Sequence, residues 1–391
     1  MIPYGKHHID EDDIAAVVDV LRGGLLTQGP AVEAFERAIA EYVGARYAVA
    51  VSSGTAALHL AALAAGVGPG TTLITSPITF VASANAALYA GGQVAFADVD
   101  PNTINISPAA LEAALAASPE AKAVVPVHFA GLPCDMLAIK SLTDKVGVGL
   151  IEDAAHALGA TYPSGRRVGC CSHSLMTIFS FHPVKAIAAG EGGMITTNDH
   201  AVYRRLLRLR SHGINKLDDP FHFKDQAYTD GFQNPWYYEM QELGFHYRIT
   251  DIQAGLASSQ LKRLDAFMTH RRALAERYDH AFANDKFVRP AQAVDKSRSG
   301  NHIYTVRIDF VAVGKTRRQV MLALRAKGIG SQVHYIPVPM HPFYHHMGHV
   351  SGDYPEAMRY YSEALTLPLF FDLSFEQQRL VISTLQGVLR A

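Results

Sequence analysis

The sequence predicts an α/β protein, with a mainly parallel central sheet covered by helices on both faces and a smaller α+β carboxy-terminal domain. Between residue 47 and about residue 200, short apolar runs alternate with stretches of strong helix formers, the order that crossover-connected parallel strands require. Hydrophobic residues make up 49% of the 391 residues and charged residues 18%, enough apolar surface to offset chain entropy. After residue 250 the rhythm changes to one long helical stretch followed by separate strand and helix signals.

The strands are predicted at 47–51, 72–75, 94–97, 123–127, 148–151, 175–181 and 194–197, most of them short, apolar and punctuated by Gly or Pro. The crossover helices include 55–65 and 108–117, both rich in Ala and Leu. Residues 215–245 break the pattern with Asp218-Asp-Pro-Phe and Asn234-Pro-Trp-Tyr-Tyr, a long irregular excursion of the kind found at functional sites and interfaces. A helical stretch at 250–282, with Ile252, Leu256, Leu261, Leu264 and Phe267 on its apolar stripe, leads away from the sheet. A strand at 302–308, a helix at 316–327, a strand at 330–335 and a final helix opened by the capping box Ser374-Phe-Glu-Gln complete the chain. The division expected is residues 1–255 as the large unit and 256–391 as the linking helix with the small domain.

Lys and Arg number 35 against 36 Asp and Glu, a net charge of −1, so no overall field favours nucleic acid or an anionic membrane. Cys134, Cys170 and Cys171 are too few and too awkwardly spaced for a disulfide framework or a four-cysteine zinc site. No apolar run resembles a signal peptide or a membrane span, and the expected location is the cytoplasm.

Three segments carry chemistry. Val51-Ser-Ser-Gly-Thr places small residues between a strand and an Ala-rich helix, where free amides and the helix dipole would bind a phosphate; an ordinary N-cap by Ser53 or Thr55 reads equally well. Gly149-Leu-Ile-Glu-Asp-Ala-Ala-His ends a buried strand in two acids, at the carboxyl edge where open α/β sheets bind ligands. Glu152, Asp153 and His156 would suit a metal, or a helix-starting acid with a satisfied histidine. In the third segment, Ser180 ends a strand and Lys185 sits among apolar and small residues before Gly190-Glu-Gly-Gly. An amine so placed is partly desolvated, its pKa falls and it becomes a nucleophile toward a carbonyl. A phosphate-binding helix start, a strand-end acid and such a lysine together are the minimum kit for pyridoxal 5′-phosphate.

With these residues in place the chain resembles the sugar aminotransferases of the DegT/DnrJ/EryC1/StrS family, which have the aspartate aminotransferase-like fold type I of pyridoxal-phosphate-dependent transferases. The resemblance runs from Leu26-Thr-Gln-Gly-Pro through Ser52-Ser-Gly-Thr-Ala-Ala-Leu, Pro77-Ile-Thr-Phe-Val-Ala-Ser-Ala-Asn, Glu152-Asp-Ala-Ala-His, Ser180-Phe-His-Pro-Val-Lys and Gly190-Glu-Gly-Gly to Tyr247-Arg-Ile-Thr-Asp-Ile-Gln. Val125-Pro-Val-His-Phe-Ala-Gly, Asn301-His-Ile-Tyr and Gln332-Val-His-Tyr-Ile-Pro-Val look closest to the members that serve the pseudaminic acid pathway.

The resemblance implies that Lys185 carries the cofactor, that Asp153 faces its ring nitrogen and that Gly54, Thr55 and Ser180 hold its phosphate. It further implies that Phe80 and the Ala155 region flank the ring, and that His156 adjusts the ring hydroxyl. His246 replaces the family's usual asparagine and would reach the phosphate of the neighbouring subunit, which makes the expected assembly a homodimer with shared active sites. Ala188-Ala189 stands where relatives often carry Thr-Thr. The substrates implied are a UDP-linked 4-keto sugar, aminated at C4, and L-glutamate, released as 2-oxoglutarate; Tyr4, Gln28, His334 and Tyr335 would contact the sugar nucleotide. A dehydratase of the family would carry His in place of Lys185, and a non-catalytic binder would have lost part of the Asp153, Ser180 and Lys185 set. The cluster His341, His345, His346 and His349 is expected to form a solvated or sugar-contacting loop rather than a metal site, because Pro342 and Gly348 argue against a regular helix.

Overall fold

The computed structural model describes residues 1–216 and 219–391; Asp218 of the irregular excursion lies outside the described residues. Seven strands form the central sheet: β1 (Tyr47–Val51), β2 (Thr72–Thr75), β3 (Gln93–Phe96), β4 (Ala121–Val125), β5 (Gly149–Asp153), β6 (Met176–Ser180) and β7 (Gly193–Thr197). Their spatial order is β1-β7-β6-β5-β4-β2-β3. The pairs from β3 to β6 are parallel, and β7 runs antiparallel to both β6 and β1. Strands covered on both faces read as continuous apolar runs, and every residue of β2 and β7 is buried.

Helices close both faces. On one side α1 (Glu11–Arg22) and α2 (Pro30–Val43) pack with the helix Asp251–Leu261. Val32, Phe35, Ile39 and Val43 form the buried stripe of α2, which Pro30 starts and a left-handed Gly44 ends. On the other side lie α3 (Gly54–Ala64) and α4 (Val81–Tyr89). Residues 56–62 of α3 are all buried, and the small Ala56, Ala57, Ala61 and Ala62 among them let the helix pack closely. The helices α5 (Pro108–Ala117) and α6 (Met136–Val146) complete the crossovers.

Beyond the sheet, a second, three-stranded antiparallel sheet is formed by Val288–Pro290, Tyr304–Ile308 and Ala364–Leu367. It packs with Leu274, Tyr278, Leu324 and Leu385 from the helices Leu264–Phe282, Arg317–Ala326 and Phe375–Arg390 in a core of its own. The Ser374 capping box forms as expected.

Three expectations need correction. Residues 330–335 are not a strand: Gln332 makes a single bridge to Thr366, and the backbone then runs into Pro337 and Pro339, which have no N–H to donate. The third strand is instead Ala364–Leu367, directly after a helix. The stretch 250–282 is two helices, broken at Arg263, whose backbone leaves helical geometry while its guanidinium reaches Asp10 and Asp13 on the amino-terminal segment. Within the histidine cluster, Pro342–His346 does form a short helix, with Pro342 in the first turn where its missing N–H goes unused.

Candidate active site

Side chains alternate along a strand, so the two acids ending β5 part company. Asp153 faces α3 and α4, where a cavity of about 420 Å³ opens at the carboxyl ends of β5 and β6. Glu152 faces the opposite layer and is wholly buried against His128, Tyr162, Ser174 and Thr177. Glu152, Asp153 and His156 therefore do not converge. Among the described residues no group of three or more His, Cys, Asp or Glu is placed to hold a metal.

One end of the cavity is the start of α3. Ser53 is the N-cap, its Oγ accepting from Ala56 N–H at 3.1 Å, while the amides of Gly54 and Thr55 make no hydrogen bond among the described residues. Both sequence readings therefore hold at once: a capped helix, with two free donors beside the cap. A Cβ at Gly54 would stand 2.9 Å from Ser180 Cβ, so only glycine brings these amides this close to the Ser180 hydroxyl. Ser180 in turn pairs in register with Gly193, where a Cβ would meet the Ser53 carbonyl oxygen at 2.3 Å. The result is an anion-sized cradle of N–H and O–H donors at the positive end of a helix dipole.

In the middle of the cavity Asp153 Oδ2 accepts from Ser83 Oγ at 2.6 Å and Oδ1 from Ala155 N–H at 3.1 Å. Ser83 is itself 2.7 Å from Thr79 Oγ1. Lys185 lies in the turn after β6, and its amine makes no hydrogen bond or ion pair among the described residues. Burial pulls that amine from 10.5 down to about 8, with the Asp153 charge partly opposing.

The far wall comes from the carboxy-terminal part of the chain. Tyr335 OH and His156 Nε2 share a hydrogen bond of 3.0 Å, and the His302 ring packs 4.4 Å from that of His156. Burial first, then the charge of Lys185, holds His156 well below its ordinary value, and burial does the same to His302. His334, bonded through Nδ1 to Thr366 Oγ1 at 2.9 Å, is drawn down to about 4 by burial and by Lys185. These imidazoles are neutral at physiological pH. Tyr4 packs 5.5 Å from His334, and Phe80, 59% exposed, stands at the cavity mouth near Tyr335.

The cavity thus gathers Tyr4, Gly54, Thr55, Phe80, Asp153 and His156 with Ser180, Lys185, His334 and Tyr335. Gln28 and His246 are exposed and do not line it. Thr79, Ser83 and His302 also line the cavity, and sequence reasoning gave them no role although each lies in a quoted motif. A hydroxyl or imidazole has no local signature that says which strand-end acid it will meet.

These residues suit pyridoxal phosphate. The donor cradle at Gly54 matches a phosphate, the unpaired low-pKa amine of Lys185 matches a carbonyl, and the Asp153 carboxylate matches a ring nitrogen. The buried His156 Nδ1, which has no hydrogen-bond partner, matches a further polar substituent.

Comparison with known proteins follows the same line. The model of the DegT/DnrJ/EryC1/StrS aminotransferase family matches residues 7–386. The spore coat polysaccharide biosynthesis protein SpsC of Bacillus subtilis is 40% identical over 392 aligned positions, spanning 100% of this chain and 97% of that protein. Among solved structures, the putative sugar aminotransferase Spr1654 of Streptococcus pneumoniae in its PMP form superposes with a TM-score of 0.89 at 29% identity, covering 100% of this chain and 99% of that one. The same protein in its PLP form gives 0.88. PseC of Helicobacter pylori, an aminotransferase involved in the biosynthesis of pseudoaminic acid, gives 0.89 at 29% identity, with 99% of each chain covered.

Proposed function

The chain belongs to the DegT/DnrJ/EryC1/StrS aminotransferase family and is a pyridoxal-phosphate-dependent sugar aminotransferase; from that premise we propose that it moves the amino group of L-glutamate to C4 of a UDP-linked 4-keto-6-deoxy-N-acetylhexosamine. The product would be UDP-4-amino-4,6-dideoxy-N-acetyl-β-L-altrosamine, a step of pseudaminic acid biosynthesis. The observation that carries the chemistry is an amine near pH 8, Lys185, sharing one cavity with the hydroxyl-held carboxylate of Asp153.

The bound cofactor supplies a carbonyl on which amines exchange and a ring that accepts the electron pair left when a C–H proton is removed. Lys185 would hold it covalently, and its free amine would be the base that moves the proton at the substrate carbon. Its lowered pKa suits both duties, since it is neutral enough to attack and basic enough to take a proton. Asp153, with one oxygen fixed by Ser83 and the other by the Ala155 amide, keeps the ring nitrogen protonated. Gly54, Thr55 and Ser180 would hold the phosphate, Phe80 and Ala155 would flank the ring, and His156 would meet the ring hydroxyl. The neutral walls of His302, His334 and Tyr335 exclude water without adding a second charge beside Lys185. His246 lies outside its own chain's cavity and serves the phosphate of a second copy, so the working form is a homodimer in which Tyr4, Gln28, His334 and Tyr335 line the sugar-nucleotide path.

The substrate rests on the likeness to PseC and on the Gln332-Val-His-Tyr-Ile-Pro-Val segment, which brings His334 and Tyr335 to the cavity. A second reading, another nucleotide-linked keto sugar such as the bacillosamine precursor, draws support from the 40% identity to a polysaccharide biosynthesis protein. Incubation with L-glutamate and either the L-arabino or the D-xylo UDP-4-keto sugar separates the two readings. Amination of the L-arabino compound is expected, and turnover of the D-xylo compound alone would select the second. We also propose that residues 1–255 form the large domain and 256–391 the linking helix with the small domain, a reading supported by the separate core around Leu274, Tyr278 and Leu385.

A further inference from the structure

Of the two acids that end β5, the one turned away from the cavity is the more unusual. Glu152 is 0% exposed, and among the described residues no Lys or Arg forms an ion pair with it. A carboxylate so deep is tolerated only when its oxygens are filled by donors. Four donors meet it: His128 Nε2 at 2.9 Å and Tyr162 OH at 2.5 Å on Oε2, and Ser174 Oγ at 2.5 Å and Thr177 Oγ1 at 3.2 Å on Oε1. The His128 ring accepts the Cys134 N–H through Nδ1 at 3.1 Å, so its proton sits on Nε2 and points at the acid. The donors arrive from four places: the segment after β4, the loop holding Tyr162, the turn before β6, and β6 itself.

Those same segments grip the backbone of Asp153. Asp153 N–H donates to the Pro126 carbonyl at 2.9 Å, His128 N–H donates to the Asp153 carbonyl at 3.1 Å, and Ala154 N–H donates to the Ile178 carbonyl at 3.0 Å. Val127, between Pro126 and His128, lines the cavity. Loosening His128 or β6 therefore moves the frame in which Asp153 is held.

We propose that Glu152 is a positioning residue, a buried carboxylate that ties the ends of β4, β5 and β6 together and so sets where Asp153 meets the cofactor ring. The proposal rests on Asp153 facing the ring nitrogen. An amide at position 152 keeps the shape but carries no charge and only one acceptor oxygen, so the charge-assisted contacts weaken and the hydroxyls on the NH2 side have to turn from donating to accepting.

The test uses purified full-length protein stripped of pyridoxal phosphate and titrated with it. In Glu152→Gln the cofactor Kd is expected to rise about tenfold or more, the size of effect that supporting shells have on the ligands they orient. The pH at which the bound cofactor's absorption changes is expected to move with it. Tyr162→Phe and Ser174→Ala, which each remove one donor from opposite oxygens, should shift both readouts in the same direction by less. A role confined to stability would lower the Tm and leave both readouts at their wild-type values, and that result overturns the proposal. Should Glu152→Gln not fold, unchanged readouts in both single-donor variants overturn it equally. Wild-type readouts in Asp153→Asn would remove the premise itself, an outcome distinguishable because it leaves no acid for Glu152 to position.

Discussion

Lys185 shows how one side chain's surroundings set a pH profile. Its amine is drawn down to about 8 chiefly by burial, against an ordinary 10.5. Only the neutral amine can attack a carbonyl, so the rate of covalent cofactor capture by cofactor-free protein should rise as pH passes through about 8 and level off above it, rather than climb on toward 10.5. Stopped-flow absorbance across that range checks this, and a midpoint near the ordinary lysine value would show the amine to be solvated. Lys185→Ala is expected to fold with an unchanged Tm, bind cofactor without a borohydride-fixable bond, and lose the glutamate half-reaction. At this scale the sequence was informative about residue type and silent about direction. Lys185 stands out among apolar neighbours, but Glu152 and Asp153 are adjacent carboxylates whose opposite fates depend on which layer each face of β5 meets.

At the scale of elements, the close approach of α3 to β6 makes the anion cradle. Gly54 has ordinary helical backbone, so Gly54→Ala brings no conformational penalty and tests crowding alone. The new Cβ would press on Ser180 at 2.9 Å. Overpacking of this kind costs about 1–3 kcal/mol. Where that cost falls on the cofactor-bound state, affinity should drop by the corresponding factor, about 5- to 150-fold. Adding Ser180→Gly relieves the crowding, so Tm should recover while affinity does not, because the hydroxyl donor is gone; recovery of both would mean that Ser180 contributes no hydrogen bond to the phosphate. Element legibility follows the same division between local and distant causes. The strand at 47–51 and the helix at 108–117 coincide with the structure because their apolar runs and their Gly, Ser and Pro boundaries are local signals. The segment 330–335 looked like a strand by composition, yet a strand exists only where a partner lies beside it. Thr366, not visible from the local sequence, offers Gln332 one bridge before the prolines intervene.

For the whole molecule, the surface is the part that one chain leaves unexplained. Phe223, Phe232, Trp236, Tyr238, Met240 and Leu243 are all exposed on the excursion that precedes His246. Single exposed apolar residues need no explanation, but a run of large ones on one segment is a surface that a second copy would cover. His246 shares this surface: it is exposed, bridged to Ser211 and outside its own chain's cavity. If a second copy covers the excursion, that copy's phosphate cradle is where His246 goes. His246→Glu would then set a carboxylate against a phosphate and strip the cofactor, although the mutated side chain lines no part of its own chain's cavity. Neither Lys185→Ala nor His246→Glu should turn over alone. In a hybrid of the two, one site regains an intact Lys185 from one chain and an intact His246 from the other, so an equal, freely exchanging mixture should recover about a quarter of wild-type activity. Sedimentation should show a dimer throughout. Full cofactor retention by His246→Glu, or a mixture no more active than its parts, would mean that each chain completes its site without the other.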